Sequence, residues 1–161
     1  MARLDNVRVG VWRGMQALVG EIERNIDDEL RAEWDISLGW FDVLASLQRL
    51  GGRARPLDVS SDMRLPPSSV SRRLDRLEEE GWIARHKYVD ANDHRAVDVE
   101  LTKTGRRLWR EMSVTYRRSL QALFAVHLDD VDIVDMQRVL DLLVAAGQEI
   151  EDTSRSDRAI R

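Results

Sequence analysis

The sequence predicts a mainly α-helical fold that carries one small β-hairpin. Apolar residues recur every three or four positions through most of the 161 residues, which is the spacing of amphipathic helices. Residues 82–101 instead alternate apolar and polar side chains, as paired strands do. The chain contains no cysteine, so we expect no disulfide, no thiolate metal site and no thiol redox switch.

The bulk properties indicate one domain and leave nucleic-acid binding open. A chain of 161 residues can bury a substantial core as a single domain, residues 1–161. The net charge of −4 argues against coating of nucleic acid by bulk charge, although a basic stripe on one face is still allowed. No run of 18 apolar residues is present, and charged residues interrupt the start of the chain. We therefore expect a cytoplasmic protein without a membrane partner.

Three helices are predicted in the first 63 residues. The first covers roughly residues 7–31, where an apolar stripe lies opposite charged side chains. The second begins near Ser37 and ends at Gly51. Pro56 permits the start of a short third helix over residues 57–63.

A turn and a fourth helix follow. Pro66 and Pro67 force the turn, since a residue that precedes proline avoids helical torsion angles. The helix covers residues 67–80 and buries the apolar residues Val70, Leu74 and Leu77. Its remaining surface carries hydroxyl and guanidinium groups, from Ser68, Ser69, Ser71, Arg72, Arg73 and Arg76.

The second half of the chain predicts a hairpin and two long helices. Strands over residues 82–89 and 96–101 are joined by a polar tip. Thr102 caps a helix that runs to about His127, and a last helix begins near Val131. The tail from residue 149 is charged and poor in apolar residues, so we expect it to be frayed.

These elements form the order of a winged helix-turn-helix flanked by dimerisation helices. Residues 36–101 are the predicted DNA-binding part, which we call the winged lobe. Residues 7–35 and 103–148 are the predicted dimerisation helices, because their apolar faces exceed what one small lobe can cover.

The fourth helix has the chemistry of a DNA-reading helix. Small hydroxyl residues in its first turns allow close approach to bases and phosphates, and arginine side chains reach further. We therefore predict DNA contacts by Ser68, Ser69, Ser71, Arg72 and Arg76. The residues leave another interpretation open, in which the serines cap the helix and the arginines pair with Asp75, Glu78 and Glu80.

Arg95, at the tip of the hairpin, is a second predicted DNA contact. An arginine in this position could reach into a narrow minor groove. Asp93, two residues earlier, could hold its orientation. The alternative is a surface salt bridge without a role in binding.

The order of elements and three motifs resemble the MarR family of transcriptional regulators. The motifs are S-S-V-S-R-x-L-D-x-L-E-x-x-G at residues 68–81, D-x-R at 93–95 and L-T-x-x-G at 101–105. The resemblance covers residues 7–147. It implies a homodimer with interlocked terminal helices that represses transcription at a palindromic operator in double-stranded DNA. The serines and Arg72 would lie in the major groove, and Arg95 in the minor groove.

One position departs from the family pattern. The residue before the recognition helix is commonly Ser or Thr in the family, whereas this chain has Pro66. Pro66 has no hydroxyl to cap the first turn or contact a phosphate.

The resemblance also implies a small-molecule effector. Members of the family commonly release DNA when an aromatic or anionic compound binds between the dimer helices and the winged lobe. Aromatic and apolar side chains suit such a ligand, and the candidates are Trp12, Trp40, Phe41, Trp109, Met112 and Tyr116. The alternative is that these residues are plain core.

Other classes of protein fit the sequence less well. It has no glycine-rich phosphate loop and no nucleophile beside a base, so we do not expect an enzyme or a cofactor. The three histidines are scattered, which argues against a metal site. The alternative function is a helical protein-interaction adaptor that keeps the winged fold without DNA binding.

Overall fold

Six α-helices and a three-stranded antiparallel sheet make up the computed structural model, which describes residues 4–87 and 97–159, with side chains to residue 149. The helices are α1 (Asn6–Trp34), α2 (Leu38–Arg49), α3 (Pro56–Met63), α4 (Pro67–Glu79), α5 (Lys103–Leu123) and α6 (Asp130–Ala159). The strands are β1 (Arg53–Ala54), β2 (Ile83–Lys87) and β3 (Val97–Leu101). The predicted fold class is confirmed.

The ends of the first helices follow local rules. The Asp5 carboxylate accepts a hydrogen bond from the backbone N–H of Arg8 at 2.9 Å, which caps the start of α1. Asp35 ends α1 in a left-handed conformation, with φ of 56°. Ser37 precedes α2 as predicted, but its side chain makes no capping hydrogen bond.

The core of the winged lobe joins α2, α3, α4 and the sheet. Each element places apolar side chains into it at the spacing of its own secondary structure. Its buried members are Val43, Leu44, Leu47, Val59, Val70, Leu74, Leu77, Ile83, Val99 and Leu101. The three apolar residues predicted to anchor α4 are therefore all in this core, which fixes the opposite face of α4 toward solvent.

The sheet has the strand order β1-β3-β2. Its hairpin pairs Ile83 with Leu101 and Lys87 with Val97. Strand β1 was not predicted, because a strand of two residues is too short to show alternation. Residues 88–96, which include Asp93 and Arg95, lie outside the described part of the chain.

A close backbone approach joins the end of α4 to the start of α5. The Thr102 hydroxyl donates to the carbonyl oxygen of Gly81 at 2.8 Å, and it accepts from the Gly105 N–H at 3.0 Å. A Cβ on Gly105 would lie 2.0 Å from the carbonyl oxygen of Trp82. The L-T-x-x-G motif therefore reflects a packing requirement.

The C-terminal end of α1 is tied to α5 by polar contacts. The Trp34 indole N–H donates to the Thr115 hydroxyl at 3.1 Å, and that hydroxyl donates to Glu33 at 2.9 Å. The Ser119 hydroxyl donates to Glu29 at 2.7 Å. Thr115 and Ser119 are buried, so these hydrogen bonds satisfy groups that would otherwise be costly.

Two predicted boundaries in the C-terminal region were wrong. Helix α5 ends at Leu123, and a short 3-10 helix, Ala125–His127, replaces its predicted last turn. Helix α6 continues to Ala159 through the tail that was predicted to be frayed. No proline interrupts that tail, and its sequence sets Glu151 four positions before Arg155, a spacing that supports a polar helix.

Helix α6 belongs to a second compact unit, residues 121–161, distinct from residues 1–120. Its side chains up to residue 149 are all exposed. Several are large and apolar, among them Val131, Val134, Leu140, Leu142 and Leu143. Among the described residues, no helix is long and apolar enough to cross a membrane.

Candidate nucleic-acid interface

The surface of α4 opposite the core presents the predicted DNA-reading side chains. Ser68, Ser71, Arg72 and Arg76 are exposed, and Ser69 is half-buried. Because Val70, Leu74 and Leu77 are completely buried on the other side, this polar face points away from the lobe. The structure thus brings the five residues predicted to contact DNA on this helix together on its exposed side.

The two exposed arginines differ in their local contacts. Arg76 pairs with Glu79 at 2.8 Å, and both side chains are more than 60% exposed. Such a surface pair breaks at little cost. Arg72 makes no hydrogen bond or ion pair with any other residue that the structure describes. Arg72 therefore has its donors free for a base edge or a phosphate.

The acidic residues of α4 pair mainly with a strand. Arg85 on β2 lies 2.6 Å from the Asp75 carboxylate through Nη2, and its Nη1 contacts the Glu78 carboxylate. We call this set of three residues the Arg85 clasp. Although burial opposes the shift, the hydrogen bonds to Asp75 and Glu78 raise the pKa of Arg85. The alternative left open by the sequence paired these acids with arginines of α4 instead; Asp75 and Glu78 pair with Arg85 of β2.

The turn before α4 holds one feature that was predicted and one that was missed. Pro66 precedes the helix without any side-chain capping bond, as its sequence indicated. Arg64, at the end of α3, is exposed in a left-handed conformation with φ of 53°. A cation beside the start of α4 suits phosphate contact, but nothing in the helical pattern of the sequence singled it out.

Arg73 was wrongly placed on the exposed surface of α4 by the sequence analysis. It is half-buried, and its Nη1 donates to the carbonyl oxygen of Gly39 on α2 at 3.0 Å. A Cβ on Gly39 would lie 3.1 Å from that nitrogen. The absence of a side chain at Gly39 therefore lets the guanidinium rest against α2.

The predicted effector residues are spread over several environments. Trp12 is 58% exposed, whereas Met112 is fully buried. Phe41 stacks on Tyr116 with ring centroids 4.9 Å apart, and Trp40 meets the edge of Trp82 at 6.0 Å. Trp109 packs against the core of the winged lobe. A ligand role for these six residues stays a prediction.

A charged cleft of about 780 Å³ lies between α1, α2 and α4. We call it the α1–α2 cleft. Charged side chains and a few apolar ones line it: Glu23, Arg24, Asp27, Asp28, Asp42, Arg49, Arg73, Leu38, Met63 and Leu65. None of the six predicted effector residues lines this cleft. Periodicity could not reveal it, because its walls come from several helices whose packing the spacing within each helix does not determine.

Asp42 is the titratable group of the cleft with the largest perturbation. Burial raises the pKa of Asp42 to about 6, the nearby Arg73 guanidinium opposes the shift, and the Glu23 carboxylate adds to it. Burial, and after it the Asp42 carboxylate, also raises the pKa of Tyr116. A carboxyl group with a pKa of about 6 changes its charge close to neutral pH.

Comparisons of sequence agree with this architecture. Residues 34–96 match the model of the MarR family. The transcriptional regulator PecS of Dickeya dadantii is 32% identical over 80 residues, which are 48% of this chain and 47% of PecS. The chain thus spans about half the length of that relative. The transcriptional repressor MdtR of Bacillus subtilis is 24% identical over 92% of both chains.

Comparisons of structure show the same fold. Sco3205, a MarR family regulator from Streptomyces coelicolor solved in complex with DNA, has a TM-score of 0.80 at 18% identity and covers 91% of each chain. The organohalide sensing regulator RdhR, in a form bound to 2,4-dichlorophenol, has a TM-score of 0.73 at 23% identity, covering 87% of this chain and 80% of its own. Family match, relatives and fold agree: residues 34–96 of this chain are similar to the MarR family, and the chain has the fold of MarR family transcriptional regulators.

Proposed function

We propose that this chain regulates transcription by binding a specific site in double-stranded DNA through α4. The observation that carries the proposal is the exposed face of Ser68, Ser71, Arg72 and Arg76 on a helix whose other face is locked into the lobe core. A helix presented in this way fits the major groove, and its arginines can pair with guanine edges or phosphates. The solved structure of Sco3205 with DNA supports this use of the fold.

Salt-dependent binding tests this proposal. Fluorescence anisotropy of the purified protein with labelled duplex DNA should show saturable binding. Its affinity should fall steeply between 50 and 200 mM salt, roughly a hundredfold or more, because phosphate contacts release counterions. A protein-interaction adaptor would show no saturable binding to duplex DNA at any salt concentration.

We infer that the DNA-binding form is a homodimer. The first turns of α1 expose Val7, Val11, Trp12, Leu18 and Val19, and α6 exposes a larger apolar set. Two amphipathic helices with uncovered apolar faces require a partner, and a second copy of the same chain supplies matching faces. Twofold symmetry of such a dimer in turn favours a palindromic operator. We propose that the outcome is repression, which the name of the repressor MdtR supports.

We further propose that a small aromatic acid releases the DNA by binding in the α1–α2 cleft. Arg24 and Arg73 line it and could pair with a carboxylate. Since Arg73 belongs to α4, an occupant that draws Arg73 away from Gly39 would act on the recognition helix directly. RdhR in its dichlorophenol-bound form supports ligand binding by this fold.

Calorimetry with a panel of benzoate-type acids tests the ligand proposal. Compounds that bind should weaken DNA binding over the same concentration range, and Arg73→Gln should remove their binding. Trp12→Ala is the matched control, because Trp12 lies outside the cleft lining. Binding that survives Arg73→Gln but fails in Trp12→Ala would reject the cleft and favour the aromatic residues.

A further inference from the structure

The recognition helix carries negative charge close to its DNA-facing side chains. Asp75 follows Ser71 and Arg72 by four and three positions, so it lies on a neighbouring part of the same helical face. Its side chain is 52% exposed, and that of Glu78, one turn later, is 39% exposed. Carboxylates at this place would repel the phosphates of a bound duplex unless a cation compensates them.

Arg85 supplies that cation from another element. One guanidinium binds two carboxylates that lie one turn apart on α4, through Nη2 to Asp75 and Nη1 to Glu78. Its backbone sits in β2 opposite Val99 of β3, so the clasp connects the recognition helix with the hairpin of the wing. At 26% exposure the side chain is more enclosed than those of the arginines that form surface pairs elsewhere on α4 and α5.

The Arg85 clasp sets an orientation in addition to neutralising charge. A planar guanidinium that binds two carboxylates fixes direction as well as distance, which an ammonium group cannot do. Partly exposed ion pairs contribute little to folding stability. The arrangement is therefore poorly suited to stabilise the lobe, but it is well suited to hold β2 at a set angle to α4.

We propose that Arg85 is a positioning residue for DNA recognition, one that holds the wing strand against the recognition helix so that both engage a duplex in register. The inference rests on the proposed function. Arg85 itself contacts no base. It acts through Asp75 and Glu78, and its loss should reduce the preference for the specific site more than the folding of the protein.

The experiment compares the unmodified chain with Arg85→Lys and Arg85→Gln. For each protein, anisotropy gives the affinities for the duplex site enriched by the unmodified protein and for random duplex, and their ratio measures specificity. Arg85→Lys keeps the charge but loses the two-carboxylate geometry, so it should bind random duplex normally while the ratio falls about tenfold. In Arg85→Gln, both the specificity ratio and the affinity for random duplex should fall, because the carboxylates of Asp75 and Glu78 lose their compensating cation.

A matched control separates the clasp from general effects of losing a sheet arginine. Arg53→Gln removes a comparable pair, Arg53 with Asp98 at 2.9 Å, which joins β1 to β3 without contact to α4. That variant should keep the specificity ratio. The melting temperatures of all variants should stay within about 4 °C of that of the unmodified chain. Sedimentation should show the same oligomeric state for all of them.

The outcomes separate failure of the positioning role of Arg85 from failure of the proposed DNA-binding function. An unmodified chain without preference for any duplex would overturn the proposed function and this inference with it. A high ratio in the unmodified chain that persists in Arg85→Lys would overturn the positioning role alone. If Arg85→Gln does not fold, Arg85→Lys still decides the question, because it retains the charge.

Discussion

Gly105 is the residue on which the packing of α5 against the end of α4 depends most directly. We expect Gly105→Ala to destabilise the protein by roughly 2–4 kcal/mol, because the new methyl group would overlap the Trp82 carbonyl, 2.0 Å from its Cβ position. Urea denaturation measures the change. Gly20→Ala is the control: only the end of the Arg24 side chain lies within 4 Å of its Cβ position, at 3.6 Å, so alanine there should be neutral or stabilising. Equal stability of the two variants would contradict the close approach.

Asp42 makes folding stability depend on pH. Burial raises its pKa from 3.8 to about 6, so the folded state keeps a proton that the unfolded state releases within this range. The contribution of Asp42 to the free energy of unfolding is therefore highest below pH 3.8. It should fall by roughly 2 kcal/mol as pH rises through 6. Asp42→Asn should remove this decline, and urea titrations at pH 4 and 7.5 measure it.

Some residue contacts could be predicted from the identity and spacing of side chains, and others could not. The hydroxyl and arginine pattern of residues 68–76 identified the exposed face of α4, because helical spacing is a local property. Arg73 was misassigned, since its partner Gly39 lies 34 positions away in sequence. The partners of Arg85 were also missed, because they depend on where β2 lies relative to α4.

Among the elements, α4 should determine which DNA sequence the protein prefers, and Arg72 tests this. Arg72→Ala should cost roughly 1–3 kcal/mol on the enriched site if Arg72 pairs with a guanine, and preference at one base pair in each half-site should relax. If Arg72 meets only phosphate, binding should weaken equally on all duplexes, and the salt slope should drop by about one. Anisotropy on specific and random duplexes separates these results. Unchanged binding on both would remove Arg72 from the interface.

Long elements with regular apolar spacing were predicted well, and short or irregular ones were not. Helices α1, α2 and α4 each have several turns of regular spacing, so their positions were predicted to within a few residues. Strand β1 has two residues and no pattern of its own. The tail of α6 lacks an apolar stripe, so hydrophobic periodicity could not indicate a helix there.

For the whole molecule, dimerisation should depend on the apolar face of α6. Leu140 and Leu143 are about half exposed in the single chain. Replacing both with Glu should abolish the dimer, because each change would bury an unpaired charge at the interface. Sedimentation equilibrium measures the oligomeric state, and Gln148→Glu is the control for added charge on the same helix. If the unmodified chain is monomeric and binds DNA as a monomer, the inferred dimer is wrong.

Site selection from a random duplex pool decides whether this chain recognises a specific DNA sequence. The unmodified protein should enrich a palindromic sequence whose half-sites are about one helical turn, or a multiple of it, apart. Two chains should bind each duplex, with an affinity well above that for random DNA. A pool that stays random after repeated rounds, with no saturable binding at low salt, would contradict sequence-specific DNA binding by this chain.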